Sequence, residues 1–134
     1  LKDEPQQGNF LIRNIMGADR ASGGIQIGAM LREGQLVQFH LRDKDMSAED
    51  LKLVLNRYKT SENSKKASGA LLFSCMGRGQ YLYGKPNHDS DMFRDQIGDI
   101  ALGGFFCNGE IGPVGKTTFL HGYTSSFGIF HPTH

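Results

Sequence analysis

The sequence predicts a single α+β domain: a mixed, mainly antiparallel sheet of about six strands, in the order β-β-β-α-β-α-β-β, with two helices on one face. Three observations lead there. Short alternating apolar–polar segments crowd the first third of the chain, two stretches carry helical spacing, and two almost wholly apolar runs flank the second of those helices. With 134 residues, 38% hydrophobic and 22% charged, the chain has enough apolar surface for one core and lacks the composition of a disordered segment.

Residues 1–8 read as a polar linker, 9–131 as one domain and 132–134 as a tail. Residues 10–15 form the first expected strand. Ala21-Ser22-Gly23-Gly24 turns the chain, and Ile25, Ile27 and Ala29 alternate on a second strand. After a turn at Glu33-Gly34, residues 36–42 read as a third, with Val37, Phe39 and Leu41 on one face and Gln38, His40 and Arg42 on the other. Short connections favour an antiparallel meander.

Ser47 is the expected N-cap of the first helix, with Asp50 at the third helical position completing a capping box. Leu51, Val54, Leu55 and Tyr58 then make one apolar stripe. Residues 60–68, with Lys65 and Lys66, read as a polar loop. Residues 70–76 are apolar almost throughout, which predicts a central strand buried on both faces and ended by Gly77-Arg78-Gly79. Asp89 is the expected cap of the second helix, Phe93 and Ile97 lie four apart, and Gly98 stops it. Residues 100–107 predict another buried strand, ended by Asn108-Gly109-Glu110. A turn through Pro113 and Gly115 leads to one long last strand over residues 117–130. The strand–helix–strand unit from 70 to 107 predicts a parallel pair with a right-handed crossover.

A formal net charge of +1 with no block of Lys and Arg leaves no electrostatic footprint for nucleic acid. No apolar run approaches the ~18 residues of a membrane span. The start lacks both a Met and the apolar segment of a signal peptide, so the chain is expected to be a piece of a longer one. Cys75 and Cys107 form no C-x-x-C pair and read as reduced core thiols, pointing to the cytoplasm.

Gly112-Pro113-Val114-Gly115-Lys116-Thr117 fails as a phosphate-binding loop. Position 110 would have to be glycine and is Glu110, and a strand follows where a helix is needed. The glycines around Gly77 and Gly79 do not complete a dinucleotide fingerprint. Among five histidines, His131 and His134 sit at the end, His88 and His40 read as surface residues, and no close pair suits zinc. His121 alternates with Phe119 and Tyr123. It reads either as a hydrogen-bonded structural histidine or as a single axial haem ligand. Cys75 or Cys107 with His121 as base is a formal nucleophile pairing that the sequence alone does not bring together. The expectation is a protein that is not an enzyme and needs no cofactor.

A location survives these exclusions. Parallel strands end on one edge, and ligands bind there. Those ends are Ser74 with Gly77-Arg78-Gly79, and Asn108-Gly109-Glu110. Glycines let a ligand approach the backbone, Arg78 could grip a carboxylate in a forked pair of hydrogen bonds, and Glu110 could face an ammonium group. Alternatively Arg78 and Glu110 pair with each other or lie in water.

Phe10-Leu11-Ile12-Arg13-Asn14, Val37-Gln38-Phe39-His40-Leu41-Arg42-Asp43, Ser74-Cys75-Met76-Gly77-Arg78-Gly79 and above all Gly104-Phe105-Phe106-Cys107-Asn108-Gly109-Glu110-Ile111-Gly112-Pro113-Val114, continued by Phe119-Leu120-His121-Gly122-Tyr123-Thr124, resemble the FIST C-terminal domain. The likeness runs from about residue 9 to 130 and looks closest to bacterial, cyanobacteria-like or plastid-type members. It implies a sensory, small-ligand-binding role in signal transduction, with an N-terminal FIST domain on the same longer chain as partner. Amino acids are the ligands it suggests, with a haem-based nitric oxide sensor or a protein-interaction adaptor as alternatives. A plastid is the alternative to the cytoplasm if the source is eukaryotic. No catalytic residue transfers from the family, and the site set of Ser74, Gly77, Arg78, Gly79, Asn108, Gly109, Glu110 and His121 is read from the strand ends and, for His121, from the aromatic face.

Overall fold

The computed structural model describes residues 8, 10–61 and 67–133. Most of the expected linker, Lys65 and Lys66 of the polar loop, and His134 of the tail lie outside the described residues. The α+β class holds, with seven strands in three sheets and three helices among the described residues: β1 (Ile15–Asp19), β2 (Gly24–Ile27), α1 (Lys44–Lys59), β3 (Gly69–Cys75), α2 (Gln80–Tyr83), α3 (His88–Ile97), β4 (Ala101–Cys107), β5 (Glu110–Val114), β6 (Thr117–His121) and β7 (Ser125–Phe130).

The central sheet has the order β4-β3-β7. β3 and β4 run parallel in the register Gly69↔Ala101 to Cys75↔Cys107, as the crossover unit predicts. β7 returns antiparallel on the other side of β3, with Ala70 opposite Ile129 and Ser74 opposite Ser125. β1–β2 and β5–β6 are separate antiparallel hairpins, so the strands do not share one continuous sheet.

Helices α1 and α3 cover one face of the central sheet. Leu51 and Leu55 of α1 meet Phe93 of α3 over Ala70, and Leu102, Phe127 and Ile129 complete this core from β4 and β7. Phe93 stacks on Phe127 with ring centroids 5.2 Å apart. The opposite face leaves Leu71, Phe105 and Phe130 exposed, with Phe73 edge-on to Phe105. β4 is therefore an edge strand, exposed along most of its length, where its apolar run predicted burial. An apolar run reports surface that needs covering, and this chain covers only part of it.

Other differences are local. Asp43 rather than Ser47 caps α1, accepting from the amides of Asp45 and Met46 at 3.0 and 2.9 Å. Two cap-forming residues lie four apart, and the helix starts at the earlier because the intervening Lys44-Asp45-Met46 continue it. The long last strand breaks at Gly122–Thr124, where Tyr123 takes φ 61°, so β6 pairs with β5 while β7 joins β3. Residues 36–42 form no strand, and Phe39 and Leu41 stand in the open.

Candidate functional site

The crossover brings the start of α3 back to the carboxyl ends of β3 and β4. Gly104 makes the strand pair possible there. It lies at φ 149°, and a Cβ would fall 1.9 Å from the carbonyl oxygen of Leu72. Gly77 follows β3, and a Cβ on it would press on the Tyr123 ring at 2.9 Å.

Asp89 is the hub. It does not cap α3; Asn87 holds that position, in the left-handed region and without a side-chain cap bond. Instead Asp89 turns inward and is buried. Arg78 donates to it twice, Nε to Oδ2 at 2.8 Å and Nη2 to Oδ1 at 3.2 Å. Ser125 Oγ donates to Oδ2 at 2.5 Å and Ser74 Oγ to the same oxygen at 3.2 Å. His88 Nδ1 lies 3.0 Å from Oδ1 and donates, since a carboxylate only accepts. Arg78 further donates to the Tyr83 hydroxyl at 2.6 Å and to the Tyr123 carbonyl at 3.3 Å. The His88 ring stacks on Tyr83, centroids 3.4 Å apart.

Burial works against an ionised Asp89, yet the hydrogen bonds and charge of Arg78 outweigh it, and those of Ser125 and His88 add, holding the carboxyl down to about 2. For Arg78 burial pulls the other way and is more than offset by Asp89, so its pKa rises. Burial pushes the Tyr83 phenol up to about 12, only partly countered by the Arg78 charge.

Glu110, almost wholly buried, opens β5. Its Oε2 accepts from the Thr124 amide and hydroxyl at 3.2 and 2.9 Å, and Cys107 Sγ donates to Oε1 at 3.4 Å. Burial first, and then that bond to Glu110, pushes the Cys107 thiol up. Arg78 and Glu110 therefore neither pair with each other nor lie in water: each is built into its own buried cluster.

Next to the Asp89 hub, the start of α3 and the exposed side of β4 flank a half-open cavity of about 360 Å³. Its apolar wall comes from Leu72, Leu102, Phe105 and Phe106. Its polar wall comes from Ser74, Asn87, His88, Asp89 and Ser90, and Gly79, Gly103 and Gly104 supply backbone. Of the strand-end residues expected at a site, Ser74 and Gly79 line this space. Arg78 stands behind it, its fork taken by Asp89, and Gly77, Asn108, Gly109 and Glu110 lie outside the lining.

His121 is half-buried in β6, and its Nε2 lies 2.9 Å from the Gly112 carbonyl, to which it donates. That nitrogen is engaged, which gives His121 the hydrogen-bonded structural role that was one of its two readings. No group of three or more His, Cys, Asp or Glu that could hold a metal ion occurs among the described residues.

Sequence reasoning missed Asp89 because an aspartate ahead of a helix reads as a cap. It also placed His88 at the surface, whereas His88 is buried between Asp89 and Tyr83. The available signal was Arg78 itself: an arginine at the end of an apolar strand needs an acidic partner, and Asp89 lies at the return of the crossover.

A parallel β-α-β unit, an open pocket beside its strand ends and a buried Arg–Asp hub bracing it define a mixed-sheet α+β domain. The chain belongs to the FIST C domain family, whose model matches residues 1–113; such domains are sensory modules of signalling proteins. It is 44% identical over 126 residues to an uncharacterized protein of Mycobacterium tuberculosis, covering 94% of this chain and 33% of that one. It is 30% identical over 143 residues to an F-box/LRR-repeat protein of Arabidopsis thaliana, covering 95% and 27%. With F-box only protein 22 of Homo sapiens it shares 30% identity over 108 residues, covering 68% and 27%. The chain thus spans about a third or less of the length of these relatives. No helix among the described residues is long and apolar enough to cross a membrane.

Proposed function

We propose that this domain binds a small molecule in the cavity beside the β3 and β4 ends and reports its presence to the rest of a signalling protein without transforming it. The cavity carries the reading: about 360 Å³, walled by Leu72, Leu102, Phe105 and Phe106 on one side and by the first turn of α3 on the other. An amino acid suits this division. Its side chain would lie on the phenylalanines and its carboxylate would meet the first amides of α3, which Asn87 leaves without a side-chain cap. Arg78 and Glu110 then hold the walls rather than the ligand. The non-catalytic reading is supported by Asp89, the carboxylate of the lining, being taken up by Arg78, Ser74, Ser125 and His88. The free thiols Cys75 and Cys107 accord with a cytoplasmic site of action.

Isothermal titration of the full-length protein against an amino-acid panel tests this. One member is expected to bind, and Ser90→Trp, which puts an indole into the pocket lining from α3, is expected to weaken it by about tenfold or more by occupying the ligand's space. A panel without binding, or binding indifferent to Ser90→Trp, overturns the reading.

A protein-interaction role is the second reading. It is supported by the exposed sheet face with Leu71, Phe105 and Phe130.

A further inference from the structure

Residues 36–42 carry the period-two pattern of a half-buried strand, and contain neither Pro nor Gly to forbid one. Yet they join no sheet among the described residues, and their apolar face is open, Phe39 at 72% and Leu41 at 97% exposure, with Val37 exposed beside them. The segment is nevertheless held in place. Arg42 donates to the Gly77 carbonyl and sets its guanidinium 4.1 Å from the Tyr123 ring centroid. Asp43 caps α1, and Phe10 packs edge-on to His40 at 4.6 Å. It is anchored at the end nearest the domain core while its backbone lacks a ladder partner.

We propose that residues 36–42 are a strand completed by edge pairing with a second domain on the same polypeptide, whose apolar residues cover Val37, Phe39 and Leu41. Two observations select that occupant over a second copy of this chain. The relatives are about three to four times as long as the part this chain matches, which leaves each of them room for such a domain. The uncovered region is also domain-sized: residues 11–46 contain no buried residue, and their β1–β2 hairpin is an isolated two-stranded sheet, marginal in water by itself. A single symmetric strand pairing would leave most of that surface wet. The inference is independent of the cavity and its ligand.

Hydrogen exchange read by mass spectrometry tests it on two proteins, this 134-residue chain alone and the full-length Mycobacterium tuberculosis relative, with the mass of each in solution measured alongside. In the relative, the amides aligned with residues 36–42 are expected to exchange about a hundredfold or more slower than in the lone chain, as paired strand amides do. Equal, fast exchange in both proteins overturns the proposal. Slow exchange in the lone chain also overturns it: with a doubled mass the occupant is a second copy, and with a monomer mass the partner strand lies within this chain.

Discussion

Arg78 and Asp89, eleven positions apart, face each other through two hydrogen bonds inside a buried cluster that ties β3, α3 and β7 together. Breaking a buried pair strands the remaining charge. Arg78→Met is expected to cost roughly 3–5 kcal/mol of unfolding free energy. The double change Arg78→Met with Asp89→Leu should cost clearly less than the sum of the two single changes. Chemical denaturation of the four proteins forms the cycle; strict additivity would show that the pair does not couple.

The same pair sets a pH dependence. Asp89 is held at about 2 when folded, against an ordinary value of 3.8. A depressed carboxyl contributes stability that is present above its unfolded pKa and lost as pH falls through the folded one. The loss should fall between about pH 4 and pH 2, and amount to roughly 2 kcal/mol from this group. Urea midpoints measured across that window, compared with Asp89→Asn, check it: the variant's acid limb should be flatter.

Gly104 and Gly128 make opposite predictions for one substitution. At Gly104 a Cβ meets the Leu72 carbonyl oxygen at 1.9 Å with φ at 149°, so Gly104→Ala should destabilise by more than about 3 kcal/mol or prevent the β3–β4 pairing. At Gly128 nothing lies within 4 Å of the added carbon, and Gly128→Ala should stay within about 0.5 kcal/mol. Melting temperatures of the two variants give the answer.

Tyr83 should ionise late. Its phenol, pushed up to about 12 by burial, is expected to lag the other tyrosines in a spectrophotometric titration. Tyr83→Phe removes the acceptor of one Arg78 donor and should cost about 1 kcal/mol, as one unmet hydrogen bond does.

The crossover unit was legible because its signals are local and strong: an almost wholly apolar run at residues 70–76, Phe93 and Ile97 four apart, and a second apolar run after Gly98. The lining of the candidate cavity was legible only in part. Strand ends pointed to Ser74 and Gly79, which do line the cavity, but the partners of Arg78 and Glu110 were not readable, since Asp89 and Thr124 come from elements whose return path depends on the whole chain. Residues 36–42 show the converse: the pattern reads as a strand, and no strand among the described residues pairs with it.

By itself, then, the sequence determined the α+β class and the parallel β3–β4 pair, because periodicity and turn chemistry act over a few residues, while the motifs around residues 74–79 and 104–114 carried the family resemblance. Only the tertiary structure decided that Arg78 spends its fork on Asp89, that Glu110 closes on Thr124 and Cys107, and that the open space lies beside the strand ends rather than between those two charges. The reason is physical. A buried charge must find its partner inside the fold, and which partner stands within 3 Å is settled by how the elements pack, not by the residues on either side of it.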